Sequence, residues 1–396
     1  MTVDLLERPA DTAPAIDTPV VDPEALIEEA RRRARRRRIG IASIVLGIAA
    51  AAGLVALLTS KGIRHTSMIN SGGARGATSA TISPKKPGAL ALTGSGVLLI
   101  ADVGRDQILE LQHGQFRVLA GTGRRGFSGD GGQATSAEIG EPGGMAVAPD
   151  GSVNFADSAN NRIRKISPSG VITTVAGNGR GWWTTTGTPA LRARLLSPED
   201  VTFGPDGRLY IAATGSNEVL RLERNGTLTR IAGRKGRAGV TGIGGVASRS
   251  SADGPSALAF DARGDLFIAG QNTKTLLMIS RDGEMVFPHE PGNAVSKQVK
   301  WGFYPRGSGG LVSLDGHVYA INSQEIERLT PTGVVALRQL GQGRVGGVSG
   351  FLPAGLAVSR QGRNYTDTGY GNGWADGSAI VSIAPDGAFQ TLWRKR

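Results

Sequence analysis

No cysteine occurs in the 396 residues, which removes disulfides, thiolate metal sites and a cysteine nucleophile from consideration. Histidine is nearly as scarce, at four residues. His65 lies in a Gly/Ser-rich stretch near the N-terminus, His113 and His317 fall in or beside predicted hairpin turns, and His289 is alone in a long loop. No imidazole cluster able to hold a catalytic metal assembles from them. No serine sits in a G-x-S-x-G elbow. Aromatic residues are few, with five Trp and five Tyr against sixty Gly; that balance suits slim strands and many tight turns rather than a helical enzyme.

One further absence is local. Ile39–Ser60 runs twenty-two residues without a charge, enough helix to cross a hydrocarbon core of about 30 Å. Seven arginines lie between Arg31 and Arg38, directly before it. A cleaved signal peptide would have a shorter apolar core and a better small-residue site than Leu57-Leu58-Thr59-Ser60. The stretch therefore reads as an uncleaved transmembrane helix inserted in the lipid bilayer. The arginine flank places a disordered, basic tail (1–38) in the cytoplasm and everything after the span outside it, a single-pass cell-membrane topology. The arginine run marks topology rather than a nucleic-acid contact. Residues 61–88 have linker composition. The tail carries eight acidic and eight basic residues, so the whole net charge of +12 falls on the rest of the chain. A basic exterior domain attracts anionic headgroups and anionic envelope polymers.

What the rest of the chain has in abundance is one repeated phrase. Its clearest copy reads Gly144–Ala148, a Pro149-Asp150-Gly151 turn, Val153–Asp157, a polar link Ser158–Asn161, Arg162–Ile166, a Pro168-Ser169-Gly170 turn, and Val171–Gly177. Six copies follow residue 88, with second strands expected at Val97–Asp102, Val153–Asp157, Leu209–Ala213, Leu266–Gly270, His317–Ile321 and Asn364–Asp367. Four short strands repeated every ~45–57 residues are the pattern of a β-propeller, since one such unit cannot bury both faces of its sheet. The predicted fold is all-β, a six-bladed propeller over 89–396. Phe389–Trp393 is the sixth blade's own outer strand, so the ring closes by packing rather than by a borrowed strand.

Two segments carry a family resemblance. Val118-Leu119-Ala120-Gly121-Thr122-Gly123 with Gly126-Phe127-Ser128-Gly129-Asp130-Gly131-Gly132-Gln133-Ala134-Thr135-Ser136-Ala137 resembles the segment between blades of NHL-repeat propellers. Ala156-Asp157-Ser158-Ala159-Asn160-Asn161-Arg162-Ile163-Arg164-Lys165 resembles the heart of the NHL repeat. The match is close in the first two blades, partial in the third, and reduced to rhythm and turns in the last three. The resemblance implies a six-bladed propeller that serves as a binding scaffold; membrane-tethered bacterial sensors and adhesion proteins are similar in layout.

Function then falls to the loops. Hairpins of two or three residues cannot make a concave site, whereas loops near twenty residues can. The long ones are Thr122–Gly143, Asn178–Glu199, Arg234–Pro255, Pro288–Gly309 and Gly341–Pro353. They gather Arg124, Arg125, Phe127, Asp130, Trp182, Trp183, Lys300, Trp301 and Tyr304, aromatic platforms beside cations that suit a glycan, an anionic envelope polymer or a protein ligand. The competing reading is that these rings plug gaps between blades. No catalytic residue and no metal ligand is assigned, and no cofactor is expected; Ca²⁺ is the one cation considered, at Asp130 or at the recurring Asp102, Asp157 and Asp367. Glu138, Glu141, Glu199, Asp200 and Asp253 precede first strands near the channel mouth. They keep a Ca²⁺-dependent propeller hydrolase or lactonase open as the alternative to a binding propeller, beside a structural envelope protein with no discrete ligand.

Overall fold

The computed structural model describes residues 82–182, 184–234, 237–272 and 275–288, and beyond them 310–314, 317–321, 325–330, 333–339, 356–358, 364–367, 379–383 and 389–394. Ile39–Ser60 lies outside these. Among the described residues no helix is long and apolar enough to cross a membrane.

The strands pair into six antiparallel sheets, each built on four strands that follow one another along the chain, and two of them gain a short fifth strand from a preceding loop, Thr188–Pro189 on the third sheet and Gly245–Val246 on the fourth. The first sheet is Pro87–Leu92, Leu98–Asp102, Gln107–Gln112 and Gln115–Ala120. The second is Pro142–Val147, Val153–Asp157, Arg162–Ile166 and Ile172–Ala176. The third is Pro198–Phe203, Leu209–Ala213, Glu218–Leu222 and Thr227–Gly233, and the fourth Pro255–Phe260, Leu266–Gly270, Thr275–Ile279 and Glu284–Val286. The fifth and sixth have their second strands at His317–Ile321 and Asn364–Asp367. This is an all-β propeller.

Burial follows strand position. Leu98–Asp102 and its counterparts in the next three sheets are buried at every residue, because a neighbouring sheet covers each face. The outer strand Gln115–Ala120 is exposed or half-buried except at Ala120. One core joins Leu99, Ile108 and Ala120 of the first sheet to Met145, Phe155 and Ile172 of the second. A second core joins Ile163 to Val201 and Ile211, and a third joins Tyr210 and Val219 to Leu258 and Ile268. Ala101, Ala156, Ala212 and Ala269 hold the same place in four second strands, all buried. The free face of the first sheet, Leu90, Leu98, Ile100, Leu109 and Leu111, packs with Leu392 of the last.

The expected propeller start at residue 89 falls inside the first strand. The end of the expected linker is docked on that sheet: the Lys85 and Lys86 amides donate to Asp102 at 2.6 and 2.7 Å, and Arg105 Nε donates to the Ser83 carbonyl at 2.7 Å.

Candidate functional site

The long loops are only half free. After Gly121 the chain crosses to the outer edge of the second sheet, where Gly131 and Ala134 donate to the carbonyls of Ile172 and Gly170 at 2.8 and 2.7 Å. The next loop repeats the contact, with Gly187 and Ala190 donating to Leu228 and Gly226, both at 2.8 Å. The third repeats it again, with Gly244 and Ala247 donating to Met285 and Gly283 at 2.7 and 2.9 Å. Each strap ends in a 3₁₀ turn, Ala134–Ser136, Ala190–Arg192 or Ala247–Arg249. An uncovered outer strand would present unpaired amides and carbonyls, and the strap caps them. The residues between strand end and strap remain to form a surface.

In the first loop that surface is organised around Arg164, a fully buried guanidinium on the third strand of the second sheet. Its Nη2 lies 2.9 Å from Asp130 Oδ1 and donates to the Ser128 carbonyl at 3.0 Å, while Nη1 donates to Asp157 Oδ2 at 3.2 Å. Asp130 also accepts from Thr174 Oγ1 at 2.6 Å, and Asp157 Oδ1 accepts from the Gly140 amide at 2.7 Å and Asn160 Nδ2 at 2.8 Å. The Phe127 ring lies 3.5 Å from the Arg162 guanidinium carbon and 4.8 Å from that of Arg164, a stacked cation–π arrangement. Phe127 and Asp130 are thus brought together, both leaning on arginines that sequence reasoning did not single out. Phe127 keeps 40% of its surface exposed.

Arg125 is held by Asp106 at 3.3 Å and Glu141 Oε1 at 2.7 Å, and Asp106 in turn accepts the Glu141 amide at 2.8 Å. Arg124 reaches Glu138 at 3.6 Å with 82% of its side chain in solvent, a pair that contributes little. Trp182 is 48% exposed in the second loop. Trp183, Lys300, Trp301 and Tyr304 lie outside the described residues, as does nearly all of the fourth and fifth long loops.

Asp102, Asp200 and Asp253 have other partners, and the Asp367 side chain lies outside the described residues. Asp102 accepts the amides of Lys85, Lys86 and Gly104, and Asp253 accepts the amide of Gly239 at 2.7 Å. Asp200 accepts Val201 and Leu258 amides, both at 2.8 Å, tying the third sheet to the fourth. Among the described residues no three acidic or imidazole side chains are grouped to hold a metal.

Burial pushes the Asp200 carboxyl up to about 8 and that of Asp157 up to about 6, against amide bonds that favour the ionised form. An unfolded aspartate titrates near 4. Between about pH 4 and 8 the folded state therefore holds more protons than the unfolded one, and stability falls as pH rises through this window. The melting temperature should drop from pH 5 to pH 8, and Asp200→Asn should flatten that drop. An unchanged slope in the variant would show that Asp200 is not the titrating group.

Repeated four-stranded sheets, edge straps and the Asn160-Asn161-Arg162 link define an NHL-repeat propeller. The family model for the teneurin NHL domain matches residues 113–349, and the chain belongs to that family. Human Teneurin-1 is 34% identical over 172 residues, 39% of this chain and 6% of that protein. Teneurin-3 of Danio rerio is 30% identical over 190 residues, 42% of this chain and 7% of that protein. The chain thus spans less than a tenth of the length of the curated relatives it matches. Among solved structures, a virginiamycin B lyase from Staphylococcus aureus superposes with a TM-score of 0.46 at 13% identity, covering 78% of this chain and 85% of that one.

Proposed function

We propose that the chain is a membrane-anchored binding propeller, held by Ile39–Ser60 with its tail in the cytoplasm and six blades outside. The packing of Leu392 against the first sheet supports reading the six sheets as six blades of one closed ring. The anchor rests on the charge-free span and its seven-arginine flank. The observation that carries the binding reading is the solvent-facing set of the first two loops: Phe127 stacked on Arg162, Trp182 half exposed, and Arg124 extended into water, all on loops fixed by edge straps. Aromatic surface beside exposed cations suits an anionic envelope polymer or glycan, or an acidic protein face. No reaction is assigned to it.

The test uses full-length protein in membrane vesicles and a fluorescent anionic polysaccharide. Right-side-out vesicles should bind it and inside-out vesicles should not, with affinity falling as salt screens exposed charge. Trp182→Ala combined with Arg124→Gln should weaken binding by about tenfold at an unchanged melting temperature. Binding unaffected by those changes would place recognition elsewhere.

A further inference from the structure

Four arginines converge on the rim of the third blade, well away from Arg164. Arg230, Arg234, Arg237 and Arg249, with Ser248, line a cavity of about 550 Å³. Arg230 projects from the outer strand Thr227–Gly233. Arg234 and Arg237 follow, with the Arg237 amide donating to the Arg234 carbonyl at 2.9 Å. Ser248 and Arg249 come from the 3₁₀ turn of the strap, which packs on the same strand. The outer strand and the strap turn that carry these side chains are therefore packed against each other.

Its charge is not balanced from within. Arg230 Nη1 lies 3.6 Å from the buried Glu218. Among the described residues Arg234, Arg237 and Arg249 have no carboxylate within ion-pair distance, so Glu218 is the one counter-charge paired with the four arginines. Like charges around one cavity repel, so the protein alone gains nothing by gathering them.

The repeat supplies an internal control. Register places Arg230 opposite Leu220, where the first two blades have Val118 opposite Leu109 and Thr174 opposite Arg164. Arg234 follows the strand-ending Gly233 as Thr122 follows Gly121 and Asn178 follows Gly177, and Arg249 ends the strap turn as Ser136 and Arg192 do. The same backbone is thus made twice more without this cluster, and folding does not require it.

We propose that this cavity binds a multiply charged oxyanion, a phosphate or sulfate ester. Guanidinium groups offer only donors, in a planar fork that matches tetrahedral oxyanions, and Ser248 adds a hydroxyl. The volume lies in the range of small-molecule pockets, about 300–1,000 Å³, so it accepts a phosphorylated or sulfated group larger than a bare anion. The site shares no residue with the loop surface proposed above and stands or falls separately from it.

Calorimetric titration of the full chain with inorganic pyrophosphate should show saturable binding that weakens with salt. Arg237→Gln with Arg249→Gln should weaken it by at least about tenfold, since charged donors to an anion are lost. Arg263→Gln with Arg281→Gln removes the same charge from turns elsewhere on the fourth sheet and should leave binding unchanged. Long-chain polyphosphate that competes with pyrophosphate would point to a polymer-borne ligand; lack of competition would point to a small soluble one. Either outcome supports the site. Equal weakening in both double variants would reduce it to diffuse charge, and absence of saturable binding would overturn it. Both double variants change exposed side chains, so a shared melting temperature serves as the folding check, and single Arg249→Gln replaces the pair if it does not fold.

Discussion

Arg164→Leu should destabilise the propeller by about 3–5 kcal/mol, the scale for removing one partner of a buried ion pair. The guanidinium is fully buried and serves the Asp157 and Asp130 carboxylates and the Ser128 carbonyl together. Leucine fits the space, since Leu109 and Leu220 occupy the same register position in the first and third sheets, so the loss comes from the stranded carboxylate rather than from a cavity. Asp157 is completely buried and would keep only the Gly140 and Asn160 donors. The deficit should shrink as pH falls, because burial already raises the Asp157 carboxyl to about 6 with Arg164 in place, and a protonated Asp157 no longer needs a counter-charge. Denaturant midpoints at pH 5 and pH 8 decide the matter. A loss under about 1 kcal/mol at both would mean that the carboxylate is satisfied without Arg164.

That position also marks where sequence reading stops. The repeat was legible almost to the residue: the second strands Val153–Asp157, Leu209–Ala213, Leu266–Gly270, His317–Ile321 and Asn364–Asp367 have the expected bounds. Only the first departs, beginning at Leu98 rather than Val97. Such strands are local objects, an apolar run bounded by glycine turns, so a single window suffices to see them. The straps were not visible, because they depend on pairing across the chain, as in Gly187 with Leu228. Arg164 was equally hidden. Its partner Ser128 lies thirty-six residues away, and only alignment of the blades shows a charge standing where neighbouring blades carry leucine. The same alignment would have exposed Arg230, which stands where the first two blades carry Val118 and Thr174. For the loop aromatics, Phe127 turns out to be both a packing ring and a half-exposed one, so the two readings offered for it are not exclusive.

Gly177→Ala should cost upwards of about 3 kcal/mol, because a backbone penalty of roughly 1–3 kcal/mol for a left-handed conformation adds to a steric one. Gly177 has φ 91°, a conformation that L side chains rarely adopt. A Cβ there would also run into the Asn161 carbonyl oxygen and stand 2.9 Å from Arg162 Cα. The device recurs: Gly121 at φ 96° faces the Asp106 carbonyl, and Gly233 at φ 95° faces that of Asn217. Asp106, Asn161 and Asn217 have positive φ themselves, which Asn and Asp tolerate better than other side chains. The third and fourth strands of the first three blades are thereby drawn close at the point where the strap departs. The Gly177 amide then anchors its strap by donating to Ala190 at 2.9 Å, so the substitution should also loosen the loop that carries Trp182. Gly226, at φ 78° with open space around it, is the control. Gly226→Ala bears the backbone penalty alone, and Gly226→Asn should be close to neutral. Denaturant midpoints for the three variants separate the terms, and a Gly177→Ala loss no larger than that of Gly226→Ala would show that the close approach is not what the glycine serves.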